Sequence, residues 1–168
     1  LIIPVPDSGV PAAIGYSEEI KKNVELGIIR NHYVGRTFIE PTQQIRSLGV
    51  KLKHNVNKSL IKDKSLILID DSLVRGTTSV KIIKMLYEAG AKEVHLKIAS
   101  PPIKYPDFYG IDTPYRDELL ASKLDLKGMQ TFTKAKTIQF LSIEGLYKAM
   151  GYETRNLSYP QFADHCFT

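Results

Sequence analysis

Residues 65–90 constrain the fold more than any other stretch of the chain. The aliphatic run Leu66-Ile67-Leu68-Ile69 leads into the acid pair Asp70-Asp71, then Ser72-Leu73-Val74-Arg75-Gly76-Thr77-Thr78, then a segment of helical period. A strand that is apolar at successive positions has both faces covered, as central strands of parallel sheets do. Val80, Ile83 and Leu86-Tyr87 recur at spacings of three and four. The spacing predicts a helix over Thr78 to Ala89 that packs on the sheet, with Gly90 as its C-cap. Strand, tight loop and helix in this order belong to an α/β architecture, a parallel sheet covered by helices.

The same alternation recurs on either side. Leu1 to Val5, Glu93 to Ala99 and Thr137 to Leu141 have strand character, and Glu25 to Asn31 is a weaker run of the same kind. Pro11 to Asn23 reads as a helix with Pro11 in its first turn and Gly27 beyond its end, and Ile143 to Met150, closed by Gly151, as another. No repeat and no linker rich in Gly, Ser or Pro divides the 168 residues, so one domain over residues 1–168 is expected. Gly35 to Asn57 has little periodicity. With Pro41, Gly49, Arg36, Arg46, Lys51 and Lys53 it reads as a long basic loop able to close over an anion. Leu1-Ile2-Ile3 opens as the middle of a buried strand without an initiator Met, and Phe162 to Thr168 carries no stop signal, so the chain is expected to be a fragment.

Charge and cysteine count narrow the function classes. With 23 Lys+Arg against 18 Asp+Glu the net charge is +5, which favours anionic ligands without naming one. Cys166 is the single cysteine, which excludes an internal disulfide framework and a metal site built from thiolates alone. A reducing compartment, the cytoplasm, is expected. No apolar run approaches the roughly 20 residues that span a bilayer. The modest charge and the lack of an aromatic platform motif argue against nucleic acid as a partner.

A parallel strand delivers Asp70 and Asp71 to its carboxyl edge, where ligands of open α/β sheets bind, and directs the two carboxylates differently. The turn from Ser72 to Thr78 then offers backbone amides, hydroxyls and the positive end of a helix, a combination that holds a phosphate dianion. An isolated acid pair before Thr77-Thr78 would serve equally as turn and N-cap; the full run is what favours a site. Val5-Pro6-Asp7-Ser8-Gly9-Val10-Pro11 follows the first strand. There Gly9 can adopt positive φ, and Ser8 can meet oxygen ligands or a hard cation. His32, His54, His95 and His165 show no obvious partner and are expected to be structural or exposed, which leaves no nucleophile–base pair.

The run from Leu66 to Ser79 closely resembles the phosphoribosylpyrophosphate (PRPP) signature of the type I phosphoribosyltransferases. That resemblance implies a three-layer α/β/α fold with a mostly parallel central sheet. It also implies that Asp70 and Asp71 hold the ribose hydroxyls, while Ser72, Val74, Arg75, Gly76, Thr77 and Thr78 surround the 5′-phosphate. Asp7, Ser8 and Gly9 then resemble the loop that binds pyrophosphate, with Ser8 joining Asp70 and Asp71 around Mg2+. A Walker loop is excluded, because GxxxxGK followed by Ser or Thr is absent.

Tyr33-Val34-Gly35-Arg36-Thr37-Phe38-Ile39, Pro41-Thr42-Gln43-Gln44-Ile45-Arg46 and Phe108-Tyr109-Gly110-Ile111-Asp112-Thr113 narrow the resemblance to the amidophosphoribosyltransferase family, over essentially the whole chain. The reaction implied is formation of 5-phosphoribosylamine and pyrophosphate from PRPP and ammonia, the committed step of purine synthesis. Tyr33, Arg36 and Lys53 match the positions that close over PRPP. Also implied are an upstream glutaminase domain that releases the ammonia, which these residues do not supply, and a homo-oligomer. Some members hold an iron–sulfur cluster on four cysteines. Asp107, Ala163 and Cys166 stand at matching positions, so no iron–sulfur cluster is expected and Cys166 is expected to be a buried or bystander thiol. Two other readings stay open at this level: a PRPP-binding regulator without turnover, which should carry a DNA-binding module, and a nucleobase salvage phosphoribosyltransferase, which needs a base-binding hood.

Overall fold

The computed structural model describes residues 1–31, 54–107, 113 and 115–168. In chain order its elements are β1 (Ile2–Pro4), α1 (Val10–Ile20), β2 (Ile28–Arg30), β3 (His54–Val56), α2 (Lys58–Ile61), β4 (Ser65–Asp70), α3 (Thr77–Glu88), β5 (Glu93–Ile98), α4 (Leu120–Lys123), α5 (Leu126–Thr133), β6 (Thr137–Phe140) and α6 (Ile143–Ala149). β1, β4, β5 and β6 pair in that order, all parallel, in registers that include Ile3 with Leu68, Leu68 with Leu96, and Leu96 with Ile138.

The period of two along the strands sorts side chains into two layers. Ile3, Leu66, Leu68 and Leu96 enter one core with Ile82, Ile83 and Leu86 of α3 and Met129 of α5. Ile2, Ile67 and Ile69 face the other way, against Ala12, Ala13, Tyr16 and Ile20 of α1. The fold is therefore α/β/α around a parallel sheet, and β4 is apolar from Leu66 to Ile69 because helices cover both its faces. Burying each of these aliphatic side chains stabilises the fold by about 2 kcal/mol.

Four expected strands and the helices at α3 and α6 stand where periodicity predicts them. Several elements differ. α1 stops at Ile20 because Lys21 turns left-handed, at φ 55°, and donates its N–H to Ser17 O. The strand expected over Glu25 to Asn31 shrinks to β2 and leaves the main sheet, pairing antiparallel with β3 so that Ile28 faces Val56 and Arg30 faces His54. β3 itself lies inside the span read as a loop; residues 35–53 of that span lie outside the described residues. α5 was hidden by Gly128 near its start. The Asp125 carboxylate caps it, accepting from Gly128 N–H at 2.7 Å, and burial of Met129 and Thr133 holds it.

A buried polar cluster ties the last residues down. Tyr147 Oη donates to Asp164 Oδ2 at 2.8 Å, while the Arg155 guanidinium grips both oxygens of that carboxylate and holds it below the usual carboxylate range. Cys166 lies buried among Ile103, Leu119, Val74 and Phe167, and burial pushes its thiol pKa up, as suits a packing residue. No helix among the described residues is long and apolar enough to cross a membrane.

Candidate functional site

β4 ends at Asp70, whose carbonyl accepts from Ala99 N–H at 2.9 Å, so the strand stays clamped to β5 up to its last residue. The Asp70 side chain is buried at 6% exposure, whereas Asp71 is exposed and donates its N–H to Asp70 Oδ1 at 3.0 Å. Burial, and then the neighbouring Asp71 carboxylate, push the Asp70 pKa up to about 8. Ionising Asp70 is therefore costly without a ligand, and a cation or hydroxyl donors would lower that cost.

Both acids open into a cavity of about 750 Å³ at the carboxyl edge of the sheet. Asp7 and Ser8 of the β1–α1 loop, Arg30 of β2 and His54 of β3 form its opposite wall, Asp70 to Ser79 its floor, and Thr113 part of its rim. The floor and the Asp7-Ser8 part of the wall follow the ends of the adjacent parallel strands β4 and β1, the position at which open α/β sheets bind ligands, while Arg30 and His54 come from the antiparallel β2–β3 pair.

The loop after Asp71 lines this space. No N–H from Ser72 to Thr78 finds a backbone acceptor among the described residues. Leu73 is buried in the main core and Val74 packs against Ile103, Leu119 and Cys166, so these two reach the cavity chiefly through their backbone. Gly76 makes the turn into α3 at φ 73°, where a Cβ would also sit 2.8 Å from Leu120 Cδ2 and 3.0 Å from Phe132 Cε1. With the N-terminus of the 12-residue α3 behind them, these amides form a nest for a dianion. Arg75 lines the same space, but its guanidinium pairs with Glu118.

On the opposite wall, the Arg30 guanidinium pairs with the Asp7 carboxylate. Gly9 behaves differently from expectation: its φ is −76°, so positive φ is not why glycine stands there. A Cβ at Gly9 would overlap the Ile69 carbonyl oxygen and lie 3.0 Å from both N and O of Val5. The close approach of this loop to the ends of β1 and β4 excludes any side chain. Gly9→Ala should therefore destabilise the protein by about 3 kcal/mol, measured as a lowered urea midpoint, because the atoms it meets are backbone that cannot rotate away.

No family model matches the chain. The amidophosphoribosyltransferase of Rhizobium etli is 59% identical over 169 residues, covering 100% of this chain and 34% of the relative. The chain belongs to the amidophosphoribosyltransferase family. A chloroplastic amidophosphoribosyltransferase of Arabidopsis thaliana is 46% identical over 100% of this chain and 29% of its own length. A solved structure of glutamine PRPP amidotransferase from B. subtilis, complexed with ADP and GMP, superposes with a TM-score of 0.84 at 47% identity, over 99% of this chain and 36% of that one. The fold is thus the type I phosphoribosyltransferase fold, and the chain spans about a third of the length of these relatives.

Of the residues singled out in the sequence, Asp7, Ser8, Asp70, Asp71, Ser72, Val74, Arg75, Gly76, Thr77 and Thr78 converge on one cavity, and Gly9 lies buried behind it. Tyr33, Arg36 and Lys53 lie outside the described residues. Arg30, His54 and Thr113 also line the cavity; Thr113 ends a run that carries the family resemblance, but no local pattern marks any of the three as lining, since each depends on chain folding back from a distant segment. The histidines depart from expectation too. His54 is buried at the cavity wall, His95 Nδ1 lies 2.9 Å from Thr137 Oγ1, and His165 Nε2 lies 3.8 Å from Asp107 Oδ2.

Ser8, Asp70 and Asp71 supply hard oxygen donors, and the raised pKa of Asp70 reflects two crowded acids, one of them desolvated, whose charge a cation would relieve. No group of three His, Cys, Asp or Glu side chains gathers among the described residues. Such a donor set suits a hard divalent ion that takes one or two carboxylates and completes its shell with ligand oxygens and water.

Proposed function

We propose that residues 1–168 are the phosphoribosyltransferase domain of an enzyme that forms 5-phosphoribosylamine and pyrophosphate from PRPP and ammonia. The observation that carries this reading is the convergence of the Asp70-Asp71 pair and the open amides of Ser72 to Thr78 on one cavity of about 750 Å³. The 59% identity to an amidophosphoribosyltransferase favours it over a regulator or a salvage enzyme.

In this reading the amides of Ser72 to Thr78 anchor the 5′-phosphate, and Asp70 and Asp71 accept hydrogen bonds from the ribose hydroxyls. These two anchors fix C1 between the floor and the wall. As the bond from C1 to the pyrophosphate oxygen breaks, the ribose gains oxocarbenium character, favoured by the acids below it. The leaving group gains negative charge facing Ser8 and the Arg30 cation. Ammonia attacks C1 from the opposite side with inversion, then loses a proton to solvent, and no covalent enzyme intermediate is needed. Ser8, Asp70 and Asp71 would hold Mg2+ together with PRPP, and the ion would supply charge neutralisation on the pyrophosphate. Tyr33, Arg36 and Lys53 close over the substrate and exclude water.

The proposal extends to the rest of the protein: an upstream glutaminase domain that supplies ammonia, a homo-oligomer, and residence in the cytoplasm. With Asp107 and Ala163 beside Cys166, no iron–sulfur cluster forms part of it. The test is PRPP-dependent pyrophosphate release with ammonia and Mg2+, in this segment and in the full-length protein. Ammonia should support turnover, and glutamine should do so only in the full-length form. Failure of ammonia to support PRPP-dependent release in the full-length protein overturns the proposal.

A further inference from the structure

The phosphate loop is held from outside by one short segment. The Val74 carbonyl accepts from Leu120 N–H at 2.8 Å, and Gly76 packs where any Cβ would meet Leu120. Two residues before Leu120, Glu118 closes the 3-10 turn Arg116–Glu118, and its Oε2 accepts from Arg75 Nε at 2.8 Å and from Arg75 Nη2. Arg75 is the only charged residue from Ser72 to Gly76, so this pair is the one ionic tie on a loop whose amides have no backbone acceptor among the described residues. A segment without its own hydrogen bonds opens locally at little cost unless its neighbours fix it. Ordering it on ligand binding would weaken affinity.

We propose that Glu118 is a positioning residue for this loop: by holding the Arg75 side chain at the loop's outer flank, it sets the direction of the Ser72 to Gly76 amides and does not itself touch substrate. The inference rests on the PRPP reading above and adds a residue to it. The side chains of Arg75 and Glu118 are 40% and 41% exposed, so the pair adds little to global stability, in the range of about 0–1 kcal/mol. A merely structural pair would therefore leave PRPP kinetics unchanged. An Arg75 that instead contacts phosphate directly would give the opposite sign on removal of Glu118, because the freed guanidinium would bind the dianion more strongly.

The experiment is PRPP saturation of ammonia-supported pyrophosphate release in the full-length protein, at about 0.15 M salt to screen the change of rim charge. Glu118→Gln should raise KM for PRPP about three- to fivefold while kcat changes less than about twofold. Arg75→Gln should raise KM similarly, and the double variant should raise it no more than either single one, as two members of one unit do. Glu118→Asp should recover most of the loss, and the melting temperature of Glu118→Gln should stay within a few degrees of the parent's. A KM for Glu118→Gln that is unchanged or lowered, or additive effects in the double variant, overturns the proposal. Asp70→Asn and Asp71→Asn run alongside separate the two failures: impaired acid variants with a parent-like Glu118→Gln sink only the role of Glu118, whereas parent-like behaviour of the acid variants sinks the PRPP reading itself.

Discussion

Asp71→Asn should lower PRPP-dependent pyrophosphate release ten- to hundredfold at saturating ammonia, and Asp70→Asn by at least as much, with both variants folded. The magnitude follows from chemistry: a hydrogen bond to a charged group is worth about 1.5–3 kcal/mol, and 1.4 kcal/mol is a factor of ten. Asp71 is exposed at the cavity, so its replacement removes no packing and its melting temperature should match the parent's. Asn keeps the size and one acceptor, so what it removes is charge. The effect should therefore grow where charge matters most, as the ribose turns cationic, and appear in kcat as well as KM. Steady-state pyrophosphate release across PRPP concentrations reads both. Turnover like the parent's in both variants would take the acids out of the reaction, and loss of folding in Asp71→Asn would recast them as turn residues.

The floor of this site was legible because it is local. Leu66 to Ile69 is apolar at every position, so it had to be covered on both sides, and that alone puts Asp70 at a sheet edge; Gly76 and the spacing of Ile83 and Leu86 put a helix start directly behind the loop. The wall was not legible for the opposite reason. Arg30 reaches the cavity only because β2 leaves the main sheet and pairs with His54 to Val56, a contact across more than twenty residues that no local period announces. Glu118 is hidden in the same way, 43 positions from Arg75 in a 3-10 turn with no apolar repeat. The reason for Gly9 was misread because a turn glycine suggests positive φ, whereas the close approach of the Ile69 carbonyl is visible only when two strands are side by side. Local patterns thus reported what each segment does alone, and the cavity's second half is a property of pairs.

The buried acid should also be a liability to the ligand-free fold, and the sign can be worked out. Folding raises the Asp70 pKa from 3.8 to about 8, so between those values the native state binds more protons than the unfolded chain. The contribution of Asp70 to stability is then largest below about pH 4, falls as pH rises, and is lost once pH passes the folded value. At about 1.4 kcal/mol per unit, a gap of roughly four units corresponds to a loss on the order of 5 kcal/mol, an upper figure because the native state can relax around the charge. Asp70→Asn resembles the protonated acid at every pH. Its urea midpoint in EDTA should match the parent's near pH 4 and exceed it increasingly at pH 7 and pH 9, with the slope unchanged. Adding Mg2+ and PRPP to the parent should narrow the gap, since ligands that bind the ionised acid stabilise the native state by mass action. Parallel midpoints for the two proteins from pH 4 to pH 9 would show that Asp70 ionises freely in the fold. If the midpoints diverge, the residue whose loss silences turnover is also the one whose loss strengthens the resting protein. That opposition is expected where a charge is buried to serve a ligand and not the core.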